Sequence, residues 1–335
     1  MEKLTVLIRK LASSVVLNSA AVNASGLNSG RMGCSLALYE ASQVLGDDYL
    51  EDEAFMLLQE SILSQMDDLG FHKGWSGIGF ALMYLIRNNY LEADLGEVFG
   101  ERMEQICVFL EDKLRKNVLF IAEELEMLYF VNEMALCDHS KRWEKIRNRM
   151  NEKADEKILS LIDRCSKTTV NISRSSVQNQ LNAYLNYRLP EENRKSMELV
   201  IEKYMDLYHR GLLPDNLVTY LQISKILGNK YSLDGHYGLD WKNRLYVAPL
   251  SYQTSVLALD LETSGEQGPS AKWIESMYLT PDWKETEQNI VAYIYKASPM
   301  FGLGNGLSRL LILLCMYMKL KDKRDVSPMV KLLTL

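Results

Sequence analysis

The stretch FHKGWSGIGFALMYLI, residues 71–86, places three glycines directly before an apolar run. Glycine allows a backbone or a ligand to approach closely, at a cost in conformational entropy that an ordinary loop would not carry. The run that follows is apolar on all sides, which is typical of a buried helix. We therefore predict a tight glycine turn that leads into an interior helix.

Two other stretches repeat this arrangement: SGRMG at 29–33 and GLGNG at 302–306 also precede apolar segments. We predict that the three turns cluster at one rim of the fold. One interpretation is that their backbone N–H groups face a ligand in a central cavity. The other is that helices converging on one axis need small residues in order to pack.

Apolar and amphipathic helical segments alternate along the chain, which indicates that each amphipathic helix covers an apolar one. The apolar segments are 31–45, 77–87, 120–137, 176–189, 215–227, 251–262 and 306–320. The amphipathic ones are 2–22, 51–67, 95–115, 141–165, 191–209 and 284–297, with a further helix or irregular segment within 229–246.

This alternation predicts an all-α fold and a single domain over residues 1–335. The economical closed form is a double-layered α/α toroid of about seven inner and seven outer helices, in which the N-terminal helix closes the outer layer. An open solenoid would need capping repeats with a polar outer face, and the sequence has no clear caps. Strand-like alternation is confined to RLYVAPLSY around Val247.

Composition excludes several function classes. The net charge is -6 and the basic residues are scattered, so a nucleic-acid partner is not expected. The five cysteines are widely spaced without a C-x-x-C pair, which favours reduced thiols and a cytoplasmic location. The longest apolar run, at 310–318, is about half of a membrane span, so no membrane crossing is expected.

The chain resembles the lanthionine synthetase C (LanC) cyclase-like proteins, and is closest to a small bacterial subgroup. GRMGCSLALYEASQVL, FHKGWSGIGFALMYLIRNNYLE and FGLGNGLSRLLILL carry the resemblance, which is strongest over 25–115 and 298–320. It implies a seven-fold α/α toroid. It also implies a zinc ion that two cysteines and a histidine bind, and that activates a peptide thiol for addition to a dehydrated serine or threonine.

The zinc ligands that the resemblance implies are missing from this sequence. The family's Cys-His-Gly falls on Gly304, Asn305 and Gly306, and its other cysteine falls near Leu250. Glycine, leucine and asparagine cannot replace a thiolate donor, so no zinc or other cofactor is expected. If zinc were nevertheless bound, His236, His72 and Cys315 would be the substitute ligands to consider, and the chain would then be a zinc-dependent lanthionine-forming cyclase.

Other residues could still carry chemistry. Asp234, His236 and Asp240 lie within one loop and are weak candidates for acid–base catalysis, although a glycine turn with capping residues explains the loop as well. Candidates for binding at the cleft rim share a position beside a glycine turn or in that loop: they are Arg31, His72, Lys73, Trp75, Tyr237, Asn305 and Arg309.

Three functions remain open at this point. The first and favoured one is a LanC-like protein without catalysis that binds a peptide or a partner protein, in a peptide-modification or export pathway. The second is a metal-independent glycoside hydrolase or lyase, which needs two carboxylates about 5–10 Å apart; Asp234, Asp240 and the glutamates at 123, 124 and 126 are the candidates. The third is a scaffold that acts through its outer surface.

Overall fold

The computed structural model describes residues 2–116, 122–137, 141–166, 194–213, 269–297 and 306–326, and isolated positions at 177, 180–182, 184–185, 219, 222–223, 226, 303–304, 328–329 and 332. Its helices are α1 (Glu2–Ser19), α2 (Arg31–Leu45), α3 (Asp48–Ile62), α4 (Trp75–Arg87), α5 (Leu95–Arg115), α6 (Ala122–Cys137), α7 (Lys141–Ser166), α8 (Arg194–His209), α9 (Pro269–Tyr278), α10 (Trp283–Ala297) and α11 (Leu307–Lys321). These described residues contain no strand, so the all-α prediction is confirmed.

The chain divides into two compact units. Unit 1 comprises residues 1–102 and 248–335, with α1–α4 and α9–α11. Unit 2 comprises residues 103–247, with α6–α8, and the boundary falls within α5. The prediction of one domain over 1–335 stays a prediction.

Helices α2, α4 and α11 form the interior of unit 1. α2 packs against α11 and also contacts α1, α3 and α4. In α11 every residue from Leu307 to Met318 is buried, and in α4 every residue from Trp75 to Leu85. A helix that is apolar all round is stable in water only when other elements surround it, which is the position these three occupy.

Helices α1 and α3 have the second pattern, with one buried stripe and one exposed face. In α1 the buried stripe includes Leu4, Leu7, Leu11 and Val15 at helical spacing. α1 packs against both α2 and α11, so the first helix of the chain covers the contact between the first and the last apolar helix.

Unit 2 contains the same pairing of an apolar helix with an amphipathic one. α6 packs against α7, and α7 packs against α8. The ring of Phe130 on α6 meets the ring of Trp143 on α7 edge to face, with the centroids 5.5 Å apart. α7 buries a single stripe that runs from Trp143 to Ile162.

Some helix bounds differ from the sequence prediction. α3 begins at Asp48 and ends at Ile62 instead of spanning 51–67, since Asp48 and Glu51 place negative charge in its first turn, where the helix dipole favours it. α9 was not predicted at all. Its signal is Pro269 at the first helical position, where proline is pre-organised for a helix.

Several predicted segments cannot be compared with the structure. The isolated helical positions in 177–185 and 219–226 agree with the predicted helices at 176–189 and 215–227. The predicted segments at 229–246 and 251–262, and the strand-like run around Val247, lie outside the described residues.

Candidate functional site

The three glycine turns of unit 1 lie together, as the sequence predicts. The amide of Asn28 donates to the carbonyl of His72, with 2.9 Å between nitrogen and oxygen. The amides of Leu303 and Gly304 donate to the carbonyls of Leu27 and Asn28, at 3.5 and 2.7 Å. We call this region, residues 24–30, 68–77, 303–304 and 306, the glycine end of α2, α4 and α11.

Two glycines at this end are required by close approach of backbone. A Cβ atom on Gly77 would lie 1.9 Å from the carbonyl oxygen of Phe71 and 3.0 Å from Cβ of Leu27. A Cβ atom on Gly26 would lie 2.5 Å from Cα of Lys73. Any side chain at these positions would push the turns apart. Glycine therefore allows the turns to pack directly against each other.

The three helices that start here share one kind of N-terminus. Gly30, Gly74 and Gly306 are the N-cap residues of α2, α4 and α11, all with extended backbone and none with a side-chain capping bond. Because glycine has no side-chain oxygen, the first amides of each helix need another acceptor.

In α2 and α4 the preceding turn supplies such acceptors. The amide of Arg31 donates to the carbonyl of Ala24, and the amide of Trp75 donates to the carbonyl of Asp68, both at 2.9 Å. Those two amides are therefore hydrogen-bonded within the chain. At these two helices the packing interpretation of the glycines is favoured over direct contact between backbone and ligand.

Three of the predicted binding residues reach solvent at the glycine end. Lys73 is exposed, and His72 is half-buried with its Nδ1 against the side-chain amide of Asn28. The Arg31 side chain is 25% exposed, and its Nη1 lies 3.2 Å from Oε2 of Glu60. The side chains of Lys73 and Arg31 are cationic.

Two other predicted binding residues are buried instead. Trp75 is 1% exposed, and its indole N–H donates to the carbonyl of Met66 at 2.9 Å. The guanidinium of Arg102 lies over its ring, 4.3 Å from the centroid. Arg309 is 4% exposed and donates from Nη1 to the carbonyl of Gly304. Both side chains contribute to the core of unit 1.

Gly304, which the sequence resemblance aligns with a zinc-ligand cysteine, forms two backbone hydrogen bonds. Its amide binds the carbonyl of Asn28 and its carbonyl accepts from Arg309, so it ties the start of α11 to the turn before α2. Over the part of the chain that the structure describes, no three His, Cys, Asp or Glu side chains converge as metal ligands. Cys315, a proposed substitute ligand, is buried within α11.

The remaining predicted site residues cannot be placed. Asp234, His236, Tyr237, Asp240, Leu250 and Asn305 all lie outside the described residues. Their roles stay predictions.

A second polar cluster, absent from the sequence prediction, lies farther along the same three helices. Glu40 is ten residues after Gly30, about 15 Å along α2 at 1.5 Å per residue. Its side chain is 0% exposed, and Lys319 donates from Nζ to its Oε2 at 2.8 Å. Tyr84 donates to its Oε1, and Tyr90 donates to Oε2 at 3.3 Å. With Cys315, we call these residues the charged end.

The charged end perturbs the ionisation of its members. Burial, and then the carboxylate of Glu40, raise the pKa of Tyr84 and of Tyr90. Burial and Glu40 also hold the pKa of the Cys315 thiol well above its usual value. Burial lowers the pKa of Lys319, but Glu40 and Tyr90 more than offset this, so the net shift is upward. The cluster therefore keeps its phenols and thiol neutral and its ammonium charged.

The sequence carries a signal for this cluster that could have been used. Glu40 is the only acidic residue in RMGCSLALYEASQVL, and Lys319 follows a run of nine apolar residues. Burying a single unpaired charge in an apolar helix is energetically costly, so such a residue is either exposed to solvent or paired with a group of opposite charge. Which partner it finds depends on tertiary contacts, which the sequence alone does not give.

The chain matches no protein-family model. It also has no significant match among the curated proteins. Among the described residues, no helix is both long enough and apolar enough to cross a bilayer.

Proposed function

We propose that this chain is a LanC-like α/α toroid without a zinc site, which binds a peptide or a partner protein and does not catalyse lanthionine formation. The observation that carries the proposal is the glycine end, where Gly304 stands at the family's cysteine position. Both backbone groups of Gly304 are used within the chain, and glycine offers no ligand atom for a metal.

The toroidal arrangement is part of the proposal and rests on two features. Buried apolar helices alternate with amphipathic ones over α1–α4 and again over α6–α7. In unit 1, α1 covers both α2 and α11, as a closed double layer requires where its first and last members meet. We also propose a cytoplasmic location, since the cysteine pattern favours reduced thiols. The pathway proposed is peptide modification or export.

The ligand class follows from the exposed side chains at the glycine end. Lys73 is exposed and Arg31 is partly exposed, and both stand beside the positive ends of helix dipoles. Asp68 is also exposed in this region, and Glu60 pairs with Arg31. The exposed ammonium of Lys73 is thus the group that would attract a ligand carboxylate. The favoured ligand is therefore an acidic, extended peptide segment.

The absence of zinc chemistry can be tested directly on the full chain. After dialysis against a weak chelator, mass spectrometry of the metal content should show no stoichiometric zinc. A peptide that carries one dehydroalanine and one cysteine should not be cyclised faster by the protein with added zinc than by zinc alone. Stoichiometric zinc or accelerated cyclisation would overturn the proposal.

Binding can be tested by fluorescence anisotropy with labelled flexible peptides, one rich in Asp, one rich in Lys. The Asp-rich peptide should bind, and Lys73→Glu should weaken binding at least about tenfold because it reverses the exposed charge. Lys195→Glu is the matched control, since Lys195 is also exposed but lies on α8 in unit 2. Equal binding of both peptides, or no effect of Lys73→Glu, would contradict the acidic-ligand assignment.

A further inference from the structure

An open groove runs between α1 and α10 in unit 1. It encloses about 250 Å³, and apolar or aromatic side chains dominate its lining: Leu7, Leu11, Trp283, Ile290 and Val291, with Ser14 and the charged residues Lys10 and Glu287, whose Nζ and Oε1 atoms lie 3.9 Å apart. Leu7 and Leu11 are almost fully buried, whereas Val291 is 46% exposed. The floor of the groove is therefore core and one of its walls is open to water.

The spacing of the lining residues is that of a helix-packing surface. Leu7, Leu11 and Ser14 follow each other at i, i+4 and i+7 on α1, and Trp283, Glu287 and Ile290 do the same on α10. A groove between two helices that each present such a stripe can bind a third helix. The apolar side chains of that third helix would recur at i+3, i+4 and i+7.

Beside the groove lies one cation that no carboxylate among the described residues pairs with, because Glu287 is already paired with Lys10. The ammonium nitrogen of Lys3 is shielded from solvent and has no hydrogen-bond partner among the residues that the structure describes. It lies 5.3 Å from the centroid of the Trp283 ring, over which Lys10 also stands at 4.6 Å. An ammonium with no acceptor is costly to shield, and a carboxylate brought by an occupant would supply the acceptor.

A complementary surface exists on the same chain, on the outer face of α3. Tyr49, Met56 and Leu63 recur at seven-residue intervals and are 59%, 55% and 81% exposed. Asp52, also exposed, lies on this face between Tyr49 and Met56. This face offers large apolar anchors that could pack on the apolar lining of the groove, and an acidic group at helical spacing that could pair with Lys3.

We propose that the α1–α10 groove binds the α3 face of a second copy of this chain, with Met56 among the apolar anchors and Asp52 near Lys3. Groove and face are different surfaces of unit 1, with α1 packed directly against α3. The contact is therefore head-to-tail. Such contacts build rings when the rotation closes and filaments when it does not, and both grow with protein concentration.

Analytical ultracentrifugation of the full chain tests this, using variants at exposed positions. Val291→Glu places a charge in the apolar groove, and Met56→Glu places a charge on the apolar α3 face. Each alone should remain monomeric at concentrations at least about tenfold above those at which the unaltered chain assembles. The matched control is Val108→Glu, since Val108 is similarly exposed at 51% but lies outside both surfaces. It should assemble as the unaltered chain does.

Mixing the two variants gives the decisive result. A Met56→Glu copy keeps an intact groove and a Val291→Glu copy keeps an intact face, so an equimolar mixture should form 1:1 dimers that grow no further. Circular dichroism should show the same helix content for all variants. The proposal is overturned if the unaltered chain stays monomeric, if the mixture stays monomeric, or if Val108→Glu also blocks assembly.

Discussion

The two ends of α2, α4 and α11 are held together in opposite ways. At the glycine end, backbone packs on backbone, and contacts such as Gly77 against Phe71 exist because side chains are missing. At the charged end, long polar side chains meet in the interior, with Lys319 against Glu40 at 2.8 Å.

This difference predicts how each end fails. A backbone contact fails by steric exclusion, when any atom is added. A buried ion pair fails by desolvation, when one partner is removed and the other charge is left in the core. At the glycine end, substitutions that change charge should therefore cost little stability, and substitutions that add volume should cost more. At the charged end, removing a charge should cost more than changing side-chain volume.

The largest effect should come from removing one charge at the charged end. Lys319→Met leaves Glu40 buried without its cation, which should lower the free energy of unfolding by about 3–5 kcal/mol. Urea denaturation measures this loss.

The matched control for that prediction is Lys321→Met. Lys321 lies on the same helix, and its Nζ is also 2.8 Å from a carboxylate, Glu275 Oε1, but both side chains are about one-third exposed. Its loss should be roughly 0–1 kcal/mol. Equal losses for the two variants would show that burial does not distinguish the two pairs.

The next effect should come from adding one carbon at the glycine end. Gly77→Ala places Cβ 1.9 Å from the carbonyl oxygen of Phe71 and should lower the free energy of unfolding by about 1–3 kcal/mol or more. Gly100→Ala on α5 meets nothing within 4 Å and should raise it by about 0.5–1 kcal/mol. A stabilised Gly77→Ala variant would contradict the packing role of this turn.

Alkaline pH should weaken α2 and α11 through their tyrosines. Burial, with smaller contributions from Glu51 for Tyr39 and Glu275 for Tyr317, raises the pKa of each phenol from 10 to about 12. The folded state thus keeps protons that the unfolded state releases. The stabilising contribution is complete below pH 10 and is lost as the pH rises towards 12.

Denaturation at a series of alkaline pH values, with ultraviolet detection of phenolate, measures this loss. The Tyr39→Phe variant should show a shallower decline between pH 10 and 12 than the unaltered chain. An identical decline would mean that Tyr39 does not contribute to the pH dependence.

Thiol reactivity gives the smallest and most local comparison. Burial raises the pKa of Cys34, near the glycine end, to about 11, and that of Cys315, at the charged end, well above its usual value. Both should react slowly with a disulfide reagent, whereas the exposed Cys137 should react quickly. Lys319→Met should accelerate Cys315 more than Cys34. Equal acceleration would indicate that the two ends open together.

Much of the fold could be predicted from the sequence because it depends on local pattern. The 3.6-residue period of α1, α3 and α7 distinguished covering helices from the apolar α2, α4 and α11. Proximity of the three glycine turns was also predictable, since each turn precedes a helix of the same interior layer. The bounds of α3 and the existence of α9 were missed, because capping and first-turn signals are weaker than periodicity.

For the candidate site, the structure gives the burial of some predicted residues and leaves their roles as predictions. Sequence position beside a glycine turn selected Trp75 and Arg309 as binding residues, but the structure buries both. Proximity to a turn in sequence says nothing about which way a side chain points. Lys73 is exposed and Arg31 is partly exposed, so both side chains are accessible to a ligand, as a binding role requires.

The amino-acid sequence by itself determined the helical class, the alternation of two helix kinds and the use of glycine before α2, α4 and α11, because periodicity and missing side chains are properties of neighbouring residues. Only the tertiary structure decided that Glu40 meets Lys319, 279 positions away, and that a groove opens between α1 and α10. Those features depend on which helix faces come together, and long-range packing sets that choice.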